Sequence, residues 1–334
     1  MPCAMTQTEE ETDCQASGHT MRVSFSGISV VVPVYNSAES LPPLADRLQA
    51  VLTALATPYE IILVNDGSAD ASWSTIESLS KAHADIIGMN LLRNFGQHNA
   101  LLCGIRRARF DKTITIDDDL QHAPEDIPRL LQTLEAGYDV VYGSPEREKH
   151  GLLRDMASRI TKLVLQKSMG TETARQISAF RAIRTHIRES FSSYNNAFVS
   201  IDVLLTWGTR RFTAIRVHHA ERAMGQSNYT VGKLVVHALN MITGFSTLPL
   251  QLASLTGFAF TLFGVFALIF VLVRYMMAGG VVPGFAFLAS VIIIFSGAQL
   301  FALGIMGEYI ARIHSGITKR PMYVVSQTTD EVKA

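Results

Sequence analysis

Asp117, Asp118 and Asp119 stand directly behind a short apolar run, residues 113–116, in this 334-residue sequence. If the chain stays extended through them, the two-residue period of a strand sends Asp117 and Asp119 to one side and Asp118 to the other. Two carboxylates facing one pocket repel, so that one of them would keep its proton. A divalent cation removes that conflict. Hard carboxylate oxygens suit Mg2+ or Mn2+, and Gln121, two residues on, can add an oxygen ligand or brace the others. Mg2+ is usually held by one or two carboxylates plus substrate phosphates, which makes a nucleoside diphosphate the natural co-ligand. An acidic turn opening a helix has the same local pattern, so the place of the cluster in the fold decides between the two.

That place follows from the alternation around it. Residues 28–34 (ISVVVPV) form a β-branched run suited to a strand covered on both faces. Leu41, Leu44, Leu48, Leu52 and Leu55 then recur at helical spacing over 41–56. Further strands are predicted over 59–64, 86–92, 113–116 and 139–142, and helices over 71–83, 97–109 and 124–136. The turn Asn65-Asp66-Gly67-Ser68 closes the second strand. Such βαβ alternation implies an α/β fold with a doubly wound, mostly parallel sheet, in which ligands bind at the carboxyl ends of the strands. Polar residues do follow those strands: Tyr35-Asn36, Asp66, Arg93-Asn94 and the three aspartates. Residues 211–217 also read as strand-like, and the His218-His219 pair after them lacks the spacing of a metal site.

The C-terminal third is built differently. Between residues 234 and 307 the only formal charge is Arg274. Residues 250–273 and 285–307 are each long enough to cross a hydrocarbon core, which takes about 20 apolar residues. Ala278-Gly279-Gly280 and Pro283-Gly284 break the pattern between them, giving a helical hairpin with a short outer loop. Arg222, Lys233, Arg312, Lys319 and Arg320 flank the other ends, which by the positive-inside rule puts the N-terminal part and the C-terminal tail in the cytoplasm. Residues 231–245, with Lys233 and His237 as polar points, suit a helix lying in the membrane interface. Gly264, Gly297 and Gly304 would let the spans pack against neighbours, as in a homo-oligomer.

Composition agrees with such a division. Basic and acidic residues balance at 29 each, which removes the bulk basicity of a nucleic-acid binder. A hydrophobic share of 48% excludes disorder by low hydrophobicity. The three cysteines, Cys3, Cys14 and Cys103, form no disulfide framework or metal-ligand pair. Residues 1–27 contain Glu9, Glu10, Glu11 and Asp13 without an apolar segment, and read as a flexible tail rather than a secretory signal.

Taken in order, the segments VVPVYN (31–36), VNDGS (64–68), RNFGQHNAL (93–101), IDDDLQHAPE (116–125), VVYG (140–143), SAFR (178–181) and ERAMGQSNY (221–229) resemble family 2 glycosyltransferases of the GT-A fold. With the two spans behind them, the whole chain after residue 27 is similar to membrane-anchored polyprenyl-phosphate glycosyltransferases. The resemblance implies a GT-A domain over 28–230, an interfacial helix over 231–247, two transmembrane helices within 250–311 (about 250–276 and 285–308) and a cytosolic tail over 312–334. It further implies that Pro33, Tyr35, Asn36 and Asp66 bind the nucleobase and ribose of a UDP- or GDP-linked sugar. Asp117 and Asp119 match the DxD pair, whose second member, with Gln121, coordinates the metal on the donor diphosphate.

The implied acceptor is a polyprenyl phosphate at the bilayer surface. Such a phosphate calls for hydroxyl and cationic donors, arginine above all. The candidates are Arg222 and Ser227, then Arg175 and Ser178, then Arg181 and Arg147. Pro145 and the segment Ile177-Ser178-Ala179 depart from the family pattern beside the last two. A phosphate monoester is largely dianionic near neutral pH, so its oxygen can displace the nucleoside diphosphate directly, with inversion and without a dedicated base. Two other readings share the motifs: a polysaccharide synthase of the same fold, and a membrane-tethered protein that only binds nucleotide sugars. Trp207 stands in TWGTRR rather than in a QxxRW-like acceptor motif, and two spans make no obvious channel.

Overall fold

A computed structural model describes residues 25–145, 176–196, 199–218, 248–278, 284–318 and 320–330. Strand β1, Phe25–Val34, carries the run ISVVVPV, and its last eight residues are buried. It lies between two parallel neighbours, β2 (Tyr59–Asn65) and β4 (Phe110–Thr115), while β3 (Ile86–Leu91) continues the parallel set beyond β2. Strands β5 (Val140–Pro145), β6 (Arg181–Arg184), β7 (Phe212–Val217) and β8 (Val325–Thr328) complete one eight-stranded sheet, ordered β7-β5-β6-β4-β1-β2-β3-β8. Only β6 and β8 run antiparallel to their neighbours.

Strand alternation divides the core in two. Val30, Val32 and Val34 face one side with Ile61 and Leu63, and meet the buried leucines of α1 (Leu41–Ala54) together with residues of α2 (Ser72–Ala82) and α4 (Ile127–Glu135). Val31, Ile62 and Val64 face the other and meet α3 (Gln97–Arg107) and α5 (Ile201–Gly208). Each fully buried aliphatic side chain contributes about 1.5–3 kcal/mol. Gly104 lets α3 approach β1, since a Cβ there would lie 2.3 Å from Cγ1 of Val31.

The doubly wound, mostly parallel sheet expected of a GT-A fold is therefore present, and its predicted strands and helices are found within a few residues of their expected ends. β6, α5, β8 and a 3-10 helix over Thr185–Phe191 have no counterpart in the sequence reading. Two boundaries are corrected. Residues 25–27, assigned to the tail, begin β1, where Gly27 N–H donates to Oδ1 of Asp111 at 2.7 Å. Of residues 312–334, assigned to a second tail, residues 312–317 instead finish a helix and 325–328 supply β8, held by backbone pairing to β3 and, next to it, by the Thr329 hydroxyl, which accepts the Gly88 N–H at 2.9 Å.

Helices α6 (Leu248–Ala278) and α7 (Phe285–Ile317) are the two apolar elements. Their windows Pro249–Arg274 and Ile294–His314 are long and apolar enough to cross a membrane, and none of either window is buried. They meet through Phe260 and Phe295, with ring centroids 5.2 Å apart. α7 runs nine residues past its expected end at 308, where an Arg312–Glu308 pair at 2.9 Å, one turn apart, supports the polar extension. The expected interfacial helix over 231–247 lies outside the described residues.

Candidate active site

The carboxyl ends of β1, β2 and β4 and the N-terminus of α3 enclose a cleft of about 250 Å³. Each wall is held by backbone geometry that its own sequence provides. After β1 the chain turns at Asn36, whose φ of 54° falls in the left-handed region that asparagine tolerates. Asn36 ties this turn to the one after β2: its N–H donates to Oγ of Ser68 at 2.9 Å, and its Oδ1 accepts the Ala69 N–H at 2.8 Å. Asp66 in turn accepts the N–H groups of Phe95 at 2.7 Å and Gly96 at 2.8 Å, fixing the loop between β3 and α3. Burial pushes the Asp66 carboxyl up, against those two bonds. Gly67, at φ 63°, is required here, because a Cβ would meet the Arg93 carbonyl carbon at 2.4 Å.

The acid cluster closes the cleft. Asp117 accepts Nε2 of Gln97 at 2.7 Å, Asp118 accepts the Tyr35 N–H at 3.0 Å, and Asp119 accepts the Gln121 N–H at 3.1 Å. The chain does not stay extended as the two-sided reading required. It turns at Asp118 and Asp119, with Leu120 at φ 61°, and all three aspartates line the cleft. Burial, then the charges of Asp119 and Asp118, push the Asp117 carboxyl up to about 7; Arg181 and Gln97 oppose the rise. Burial likewise raises Asp118.

Such a cleft has an excess of negative charge on one wall and, at Gly96 and Gln97, the positive end of a helix on another. A divalent cation fits the first and a phosphate the second. Among the described residues no group of three or more His, Cys, Asp or Glu side chains could hold a metal by itself.

Of the residues singled out from sequence, Pro33, Tyr35, Asp66, Asp117 and Asp119 line the cleft. Asn36 shapes its wall, and Gln121 sits beside Asp119. Ser178 is half-buried, accepts the Phe180 N–H at 3.2 Å and lies 3.4 Å from Nε2 of His122. Arg181 is reassigned: it is 2% exposed and ion-paired with Asp202 at 2.5 Å, so it is withdrawn from the surface where an acceptor phosphate would dock. Arg147, Arg175, Arg222 and Ser227 lie outside the described residues. Asn94 and Asp118, read from the sequence only as polar residues behind their strands, also line the cleft, and sequence reasoning missed Gly96 and Gln97. Gln97 was within reach of the rule that residues behind the carboxyl ends of strands face the ligand.

A family model described as "Glycosyl transferase family 2" matches residues 29–194. Proteins named undecaprenyl-phosphate 4-deoxy-4-formamido-L-arabinose transferase, from Yersinia pestis (strain Pestoides F) and Yersinia enterocolitica (serotype O:8 / biotype 1B), are 39% identical to this chain over 306 residues, 90% of its length and 93% of theirs. Glucosyl-3-phosphoglycerate synthase from Mycobacterium tuberculosis, solved with Mn2+, UDP-glucose and phosphoglyceric acid, superposes with a TM-score of 0.49 at 17% identity, over 65% of this chain and 78% of that one.

Proposed function

The chain belongs to glycosyl transferase family 2 and is a glycosyltransferase; from that premise we propose that it moves a sugar from a nucleotide sugar to a polyprenyl phosphate, supplying a lipid-linked donor for envelope glycans. One observation carries the reading: an acidic cleft for a polar donor and two bare apolar helices suited to a lipid acceptor are parts of one chain, joined at both ends to one sheet. The relatives' name pairs undecaprenyl phosphate with 4-deoxy-4-formamido-L-arabinose, which makes that sugar the first donor to test.

In this reading Pro33, Tyr35, Asn36 and Asp66 form the nucleoside pocket, and the N-terminus of α3 faces the diphosphate. A Mg2+ or Mn2+ ion held by Asp119 and Gln121, with Asp117 beside it, would supply positive charge to the departing diphosphate. The dianionic lipid phosphate attacks the anomeric carbon from the opposite face. The new C–O bond forms as the bond to the diphosphate breaks, the configuration inverts, and no side chain has to remove a proton. Arg222 and Ser227, then Arg175 and Ser178, then Arg147, are the proposed acceptor contacts. Helices α6 and α7 cross the inner or plasma membrane with the sheet on the cytoplasmic side, in accord with the flanking basic residues.

The test is to incubate membranes holding the protein with a short polyprenyl phosphate, Mn2+ and a panel of labelled UDP- and GDP-sugars, and to extract the lipid. A labelled sugar phospholipid of inverted configuration is expected. Release of free sugar without a lipid product would overturn the acceptor assignment.

A further inference from the structure

We propose that Asp202 and Tyr142 are positioning residues for the donor cleft, acting as a tether that keeps the Arg181 guanidinium behind the acid cluster instead of on it. The inference rests on the reading above, in which the cleft takes a cation and a nucleoside diphosphate.

Three elements meet in the tether. Arg181 on β6 gives Nη1 to Oδ1 of Asp202 on α5 at 2.5 Å, and the Tyr142 hydroxyl on β5 donates to the same oxygen at 3.0 Å. The guanidinium carbon lies 5.8 Å from the Tyr142 ring centroid, and Nε reaches the Ala179 carbonyl at 3.4 Å. All three residues are buried. Replacing such a buried ion pair with apolar side chains of equal volume is often neutral or stabilising. Fold stability is thus a poor reason for this one.

Its location provides a better one. Arg181 pairs across the sheet with Thr115, two residues before Asp117, and its charge acts on Asp117. An arginine fork whose charge reaches Asp117 has a strong competing option, a bidentate bond to that carboxylate. Taking it would fill with guanidinium the place that a metal-bound diphosphate needs. Asp202 offers a carboxylate on the far side, and the Tyr142 hydroxyl holds that carboxylate still. The arginine then lends its field to the cluster without occupying it.

Tethering differs from mere support in what a second substitution does. In detergent-solubilised full-length protein, calorimetric titration with Mn2+ plus UDP, and separately Mn2+ plus GDP, measures the cleft directly. Asp202→Asn is expected to weaken nucleotide binding about tenfold, a charge-contact-sized effect, and to raise the KM for the donor sugar while leaving that for polyprenyl phosphate unchanged. Adding Arg181→Met to Asp202→Asn removes the competing guanidinium, and most of the binding should return. Tyr142→Phe, which deletes one hydroxyl, should give a smaller loss in the same direction, and it keeps the test open if Asp202→Asn does not fold.

Equal binding by wild type, Asp202→Asn and Tyr142→Phe would overturn the tether. So would a double variant as weak as the folded single one, since that is the signature of a structural role alone. If instead the wild type binds neither nucleotide, it is the donor-site reading that fails.

Discussion

The sheet domain and the helical hairpin use the same residue types to opposite ends. In the sheet domain Phe180, Leu48 and Ile62 are completely enclosed, whereas Phe266, Leu300 and Phe301 on α6 and α7 are about two-thirds exposed. Water drives the first arrangement by expelling apolar surface. The second is stable only where the surroundings are themselves apolar. On the proposed function, charged chemistry sits where the two environments meet, with a polar cleft on one side and a lipid-soluble partner on the other.

The sharpest way to separate the two regions is Asp119→Ala. Transfer to lipid should fall by about a thousandfold or more, while alkaline extraction still finds the protein in the membrane. Full activity in excess Mn2+ would remove Asp119 from the chemistry.

Phe263→Arg tests the other region. Phe263 lies within the span Pro249–Arg274, where a central arginine costs about 2.5–3.5 kcal/mol. The integrated fraction should drop and calorimetric nucleotide binding should persist. Joint loss of both would mean that the sheet does not stand apart from its anchor.

A third change stays inside the sheet. Gly104→Ala forces a methyl against Val31 and should destabilise the domain by about 1–3 kcal/mol, read as a lower melting temperature.

The smallest effect is a gain. Because the Asp117 carboxyl is pushed up to about 7, the folded chain holds a proton that the unfolded chain releases near pH 4. Stability accordingly falls as pH rises from about 4 to about 7 and stays lowered above it. Without added metal, Asp117→Asn should melt a few degrees higher than wild type at pH 8, and the two curves should converge below about pH 4. Identical melting at pH 8 would show that the cleft does not strain this carboxyl.

What the sequence disclosed was whatever repeats along one element. The run ISVVVPV, the leucines of α1 and the uncharged spans each carry their own periodicity, and each was found. β6 reads RAIR, four residues with two charges, and β8 reads VSQT. Both are held by backbone pairing, so their side chains carry little pattern. The two-sided placement of Asp117 to Asp119 failed for a different reason. Leucine seldom adopts the left-handed conformation, and nothing local announces that Leu120 does so. Arg181 was misplaced because its partner stands 21 residues away on a helix that the periodicity did not reveal.

The last strand also has a bearing on how the molecule is made. Thr329 reaches Gly88 across 241 residues, and Arg107 pairs with Asp330 over nearly as many. The ribosome releases β8 after both apolar helices, so until then the edge of β3 is an open template for any passing strand. If α6 and α7 cross a membrane as proposed, closure also depends on parity: an odd number of crossings would deliver β8 to the wrong side of the bilayer. A four-residue strand, the last to be made, thus closes the β3 edge of the sheet.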